Sequence, residues 1–496
     1  MRTLRRRALS AWSAFPASVR LGWLAGLLVV AGVVAIVGGT LPPPGSADAY
    51  WHLDYIYQLA HGHLPEPYHP QWVMPGRGAP VGSPQGVHFT AAHPPLFYLL
   101  AVPFVGPLFD TQSLTLITMA ARGVNAVIAL AAFIALARLG WTLGGRIRHQ
   151  LTVALPVATL LQVPVAQVAG EFYNDLLVTL FAVLIFTEAA LAVRDGITRR
   201  RWALMVLWSV GGMASKATFV FALLVALAAL VWAAWRHGQG GWRERAKAAL
   251  IPVLAVGGAP VVAVGWFYLR NYSYSGSPLS GVGKVILPGR TYRSPSDVLE
   301  HPQMWTGFIE GWTGIRAWGT GDWPLNHTSA MLIVGIAVLS TLAWALLRRP
   351  SRASWAVASL FIALLVLLHV AQFYHAVGYG AFNWRYLMPG SFVLALLLLV
   401  SFLDWGRLVG TLWFGLLSAG LATAAVYDRA VYISRTYRQE WWGDADGFAV
   451  FPQIAADAGL PWWPVVAIGL VVAVAWTVMA RAMWRTYPAH ITPATS

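Results

Sequence analysis

The sequence predicts an all-α polytopic membrane protein of about twelve transmembrane helices. Three observations predict it. Of the 496 residues, 58% are hydrophobic and 11% charged. Soluble domains carry about a quarter, so this chain lacks the polar surface to clothe a globule of its size. Apolar runs of roughly twenty residues, each long enough to cross a hydrocarbon core, recur along it. The basic residues gather in the short connections between alternate runs, as they do on the cytoplasmic side of a membrane.

The runs place helices at 20–39, 113–138, 151–169, 172–193, 202–215, 218–235, 250–268, 328–347, 354–374, 385–403, 408–427 and 463–480. The first follows an Arg-rich start (Arg2, Arg5, Arg6, Arg7). It is membrane-length, and Leu41-Pro42-Pro43-Pro44 is a poor cleavage context, so an uncleaved helix is expected rather than a signal peptide. Residues 202–235 are interrupted by Gly211-Gly212 and Ser215-Lys216, which suits two short helices better than one. Residues 95–107 are too short and Pro-rich to span, and read as an interfacial or re-entrant helix packed on protein.

With the N-terminus in the cytoplasm, about 22 of the 34 Lys and Arg fall inside and about four of the 19 carboxylates do. The net charge of +15 is therefore an orientation signal, not a nucleic-acid footprint. The expected organisation is a cytoplasmic segment 1–19, a transmembrane module 20–427 with extracytoplasmic loops 40–112 and 269–327, and an extracytoplasmic loop 428–462. A last helix 463–480 and a cytoplasmic tail 481–496 complete it. The chain is placed in the cell inner membrane, with both termini cytoplasmic and the working loops outside. There is no Cys, which excludes disulfides and thiolate metal sites.

In the first loop, Ser46 or Asp48 can cap a helix. Trp51, Tyr55, Ile56 and Leu59 then recur at helical spacing, with Asp48, His52 and Asp54 off that stripe. The pattern reads as an amphipathic helix at the headgroup zone. Asp48 is either a cap alone or a carboxylate beside a pocket, able to take a proton from an acceptor.

A lone Asp after the first helix, an aromatic helix ending in HGHLP, and His93-Pro94-Pro95-Leu96 resemble the start of the GT-C glycosyltransferases. The resemblance is to the bacterial branch related to protein O-mannosyltransferases and the lipid A aminoarabinose transferase. Further matches follow in order: Asn174-Asp175, Gly212 to Thr218 (GMASKAT), Gly265 to Pro278 (GWFYLRNYSYSGSP), Phe308 to Trp318, and Trp384-Arg385-Tyr386-Leu387-x-Pro389. Most of residues 20–400 is covered. The resemblance implies an inverting enzyme that moves a sugar from a polyprenyl-phosphate carrier to a glycan, lipid or protein acceptor, with Asp48 as catalytic base. The family often has a second acid at the next position; here it is Ala49. That departure bears on whether a divalent metal is used, and leaves a catalytically inactive scaffold as an alternative, beside a lipid or glycan transporter.

Charges near the ends of spanning segments sharpen the site. Glu171 and Asp175 are four apart and are expected on one helical face. Arg385, Lys216 and Arg270 lie at helix ends on the same side, with Tyr386 beside Arg385, and these four are the candidates for binding substrate and phosphate. Arg385 and Lys216 are the expected holders of the leaving phosphate, although snorkelling or structural pairing would place them there too. His52, His93, Asn174 and Trp312 join the pocket candidates. No cofactor is certain. Among the outer histidines only His61-x-His63 has metal-like spacing, and zinc takes three or four ligands.

Overall fold

The structure, a computed structural model, describes residues 13, 15–41, 43, 48–67, 71–72, 88–276, 291–302, 304–305, 327–378, 380, 382, 384–441 and 462–487. Among them are sixteen α-helices: α1 Ala17–Gly39, α2 Ala49–Ala60, α3 Leu96–Val105, α4 Leu114–Leu143, α5 Arg148–Leu160, α6 Val163–Gly170, α7 Asp175–Asp195, α8 Arg199–Met213, α9 Val220–His237, α10 Trp242–Ser275, α11 Pro295–Glu300, α12 His327–Arg348, α13 Arg352–Ala376, α14 Ser391–Asp404, α15 Arg407–Trp441 and α16 Trp462–Thr486. Ten spans are long and apolar enough to cross a membrane, or eleven if the bent pair α5–α6 counts as one. The sequence reading of about twelve differs at α8, whose 15 residues fall short of a full crossing. The chain is an all-α, multi-pass membrane protein.

Three interruptions of the expected spans have local causes, and two of them set the site. The run at 151–169 bends by 72° between α5 and α6. Pro164 has no N–H for the carbonyl of Leu160, and α5 stops there. The run at 385–403 opens as a 3-10 turn, Trp384–Gly390, because Pro389 cannot bond back to the carbonyl of Arg385. This leaves Arg385 and Tyr386 at the mouth of the span instead of inside a helix. The run at 202–235 is two helices, as expected, separated by residues 214–219.

α7 starts at Asp175, so Glu171 does not share a helical face with it as expected; Glu171 is the extended residue that ends α6. The break is held by Asn125 of α4. Its amide donates to the carbonyls of Val168 (2.8 Å) and Tyr173 (3.3 Å), one on each side. Arg122, one turn earlier, closes the end of α1 by donating to the carbonyls of Gly38 (2.7 Å) and Leu41 (2.9 Å). α1 and α6 meet backbone to backbone: a Cβ on Gly38 would lie 2.3 Å from the carbonyl oxygen of Gly170.

α2 also differs from the amphipathic reading. Nine of its twelve residues are buried, including His52 and Asp54 on the polar side. Asp54 is fully enclosed because the loop folds over it. It accepts from the backbone N–H of Gln71 (3.0 Å) and Trp72 (2.5 Å) and from Gln58 Nε2 (2.7 Å), and His88 Nε2 lies 2.7 Å away. A buried carboxylate needs such partners, and here they tie the loop to α2. α3 packs Phe97, Tyr98, Ala101 and Val105 inward and leaves Leu99, Leu100 and Phe104 exposed, the one-sided burial of a short helix lying on protein.

At the far end of α7 and α14, Asp404 pairs with Arg146 and Arg348 and accepts from Trp344 Nε1 at 2.7 Å. The helix ends there carry the basic clusters seen in the sequence. The site lies at the other end.

Candidate active site

Backbone stitching brings distant segments together before any side-chain chemistry enters. The N–H of Leu96 donates to the carbonyl of Ala214 (3.1 Å), and Asn174 Nδ2 to that of Ser215 (3.1 Å). Asn271 Nδ2 donates to the carbonyl of Ala92 (2.9 Å), Tyr268 Oη to that of Met213 (2.8 Å), and Tyr55 Oη to that of His93 (2.9 Å). The first loop, the α6–α7 break, the α8–α9 break and the end of α10 therefore converge.

Three ion pairs occupy this convergence. Asp48 Oδ2 meets Arg385 Nη2 at 2.5 Å, Asp175 Oδ1 meets Lys216 Nζ at 2.6 Å, and Glu171 Oε1 meets Arg429 Nη2 at 2.5 Å. Their burial separates them. The side chains of Lys216 and Asp175 are 7% and 3% exposed, and those of Arg429 and Glu171 2% and 7%. Those of Arg385 and Asp48 are 24% and 43% exposed. One pair is partly exposed and two are enclosed by protein.

Asp48 takes the N-cap position of α2, yet its side chain makes no cap hydrogen bond. The carboxylate goes to Arg385 instead. Arg385 also lies over the face of Tyr173, 4.9 Å from its centroid, and His52 meets that ring edge-on at 5.0 Å. Lys216 sits 5.7 Å from the Tyr386 ring, which His375 meets edge-on at 4.5 Å. His52 hydrogen-bonds Tyr98 Oη through Nδ1 (3.0 Å), and its ring lies 6.4 Å from that of His93.

Burial, then the charges of Arg385 and Lys216, holds His52 well below its usual pKa; burial and Lys216 do the same for His93, against the pull of Asp48. Both imidazoles are neutral near pH 7. Burial also lowers Lys216, opposed by Asp175. The open end thus presents one carboxylate, one guanidinium and neutral aromatic walls: a proton acceptor beside an anion holder.

Of the sequence candidates, Asp48, Arg385, Tyr386, Lys216, Asp175, Asn174, His52 and His93 come together here. Glu171 joins through its break rather than a shared helix face. Arg270, also a phosphate candidate, engages the carbonyl of Pro65 and lies over Phe267 and Tyr274. Ser46, His69, Trp312 and the segment 308–318 lie outside the described residues. His61 and His63 are exposed, and His61 turns back to the carbonyl of Tyr57 at 2.7 Å. Among the described residues no three His, Asp or Glu side chains gather as a metal cage. Ala49 is 3% exposed, so a carboxylate at that position would enter the packed interior.

Sequence reasoning missed Arg429, Tyr173 and Asn125. Arg429 lay two residues beyond the expected end of its helix, but α15 continues to Trp441. An arginine so close to a spanning segment was the available signal. Asn125, a polar residue inside the run 113–138, carried the same signal, and Tyr173 carried none.

No protein-family model matches the chain, and no curated protein matches it. Solved structures resemble its fold. ArnT from Cupriavidus metallidurans bound to undecaprenyl phosphate aligns with a TM-score of 0.44 at 13% identity, covering 94% of this chain and 78% of that one. The Archaeoglobus fulgidus oligosaccharyltransferase AglB, in complex with an inhibitory peptide and a dolichol-phosphate, aligns at 0.43 and 13%, covering 94% and 55%. The Archaeoglobus fulgidus oligosaccharyltransferase with Zn and sulfate aligns at 0.45 and 13%, covering 86% and 56%. At this level of similarity the chemistry rests on the side chains described above.

Proposed function

We propose that this chain is an inverting glycosyltransferase, moving a sugar from a polyprenyl-phosphate carrier to a hydroxyl or amine on a glycan, lipid or protein. The observation that carries the reading is the partly exposed Asp48–Arg385 pair, built from the first loop and the mouth of α14. The ordered sequence motifs support it. Asp48 takes the acceptor proton as the acceptor oxygen or nitrogen attacks the anomeric carbon. The bond from that carbon to the phosphate oxygen breaks on the opposite face, inverting the centre. The leaving phosphate gains charge, and Arg385 stabilises it. Tyr173 and Tyr386 orient the two cations, and neutral His52 and His93 line the acceptor side without adding competing positive charge. Lys216, held by Asp175, contributes field from behind Arg385, and Arg270 holds the first loop.

The distribution of basic residues supports placement in the cell inner membrane with both termini in the cytoplasm and the site outside. A transporter would need ligand-lining charge near mid-bundle, whereas these three pairs sit at the ends of apolar spans. In a deletion strain, wild-type protein is expected to restore the missing surface glycan and Asp48→Asn is not, at equal membrane abundance. Full restoration by Asp48→Asn removes Asp48 as the base.

A further inference from the structure

The best phosphate holder is already engaged by a carboxylate. Arg385 is bonded to Asp48 at 2.5 Å, and Lys216 to Asp175 at 2.6 Å. The two pairs are formally neutral together, so a phosphate arriving on top of them brings uncompensated negative charge beside two carboxylates. One carboxylate has to give way. Burial decides which: the Asp175 side chain is 3% exposed and that of Asp48 is 43%. Asp175 also follows the Asn174 anchor at the first turn of α7, whereas Asp48 stands at the start of α2 with no cap hydrogen bond to keep it there.

Resting on the glycosyltransferase reading above, we propose that Asp48 occupies the place on Arg385 that the donor phosphate takes, so that donor binding releases the base. The exchange couples the two halves of the reaction. While paired, the Asp48 carboxylate is held on Arg385 through Oδ2. Once the phosphate has Arg385, the carboxylate has lost its partner and is free to meet the acceptor. The base becomes competent when there is a donor to attack. The proton Asp48 then accepts offsets the second negative charge that the phosphate gains as its bond to the sugar breaks. Lys216 keeps Asp175 throughout, which makes it a positioning residue instead of a second phosphate ligand.

The consequence is counter-intuitive and measurable: the variant lacking the base binds the carrier more tightly. If the pair is formed about nine-tenths of the time, it lowers apparent phosphate affinity about tenfold. The test uses the purified full chain in phosphatidylcholine nanodiscs and titrates farnesyl phosphate, with farnesol and inorganic phosphate as controls for tail and headgroup. Asp48→Asn and Asp48→Ala are both expected to bind farnesyl phosphate about tenfold more tightly than wild type. Arg385→Ala is expected to bind it far more weakly, with farnesol indifferent to all three. Equal or weaker binding by both Asp48 variants, with Arg385→Ala still defective, overturns the exchange and leaves the phosphate reading standing. Wild-type binding by Arg385→Ala removes both.

Discussion

The Lys216–Asp175 pair allows a sharp energetic test of how the site is held. Replacing Lys216 by Met keeps the length and apolar stem of the side chain and deletes the charge. Asp175 Oδ1 then loses its 2.6 Å partner, and Oδ2 is already buried without a hydrogen bond. With only 3% of that side chain exposed, water cannot replace the ammonium. Breaking a buried pair from one side costs about 3–5 kcal/mol, so Lys216→Met is expected in that range. The reverse deletion is milder. Burial already lowers the pKa of Lys216, so in Asp175→Asn it can shed its proton and its charge. The double variant leaves no buried charge, and should recover about 2 kcal/mol relative to the sum of the singles. The assay is equilibrium unfolding of the four proteins in mixed micelles, with transfer or carrier binding measured on the folded fraction. A loss below about 1 kcal/mol for Lys216→Met, or strict additivity, refutes the claim that this pair is sealed in the protein.

Three other outcomes follow from the same geometry. Asp54→Ala removes an acceptor bonded to Gln58, Gln71 and Trp72, and should lower stability by about 3 kcal/mol while sparing Asp48; thermal unfolding checks it. Gly38→Ala places a methyl 2.3 Å from the carbonyl oxygen of Gly170 and should cost about 1–3 kcal/mol, whereas Gly123→Ala, with nothing within 4 Å, should be neutral or stabilising. His52 is neutral when folded and has its ordinary pKa of 6.5 when unfolded, so the unfolded chain binds more protons below that pH and stability falls as pH drops. The contribution is about 1 kcal/mol between pH 6.5 and 5.5, and His52→Phe should flatten that slope by this amount.

Hydrophobic length and basic clustering determined the architecture from sequence alone, because lipid demands continuous apolar helices and the cytoplasmic face attracts Lys and Arg. Asp48, Lys216 and Arg385 were also legible, since ionisable groups near a bilayer are costly and stand out against an apolar chain. Their partners were not. Periodicity put Glu171 and Asp175 on one face, but the interruption at residues 171–174 is held by Asn125, some fifty positions earlier. Asp54 looked like a surface residue because its enclosure depends on Gln71, Trp72 and His88 folding back over α2. Arg429 fell outside its span because a helix can outlast the apolar run that marks it. Which carboxylate meets which cation, and which pair stays open to a ligand, are contacts across tens to hundreds of residues. Only the packed structure decides them, since burial sets the strength of each charge and belongs to the assembled bundle, not to any one segment.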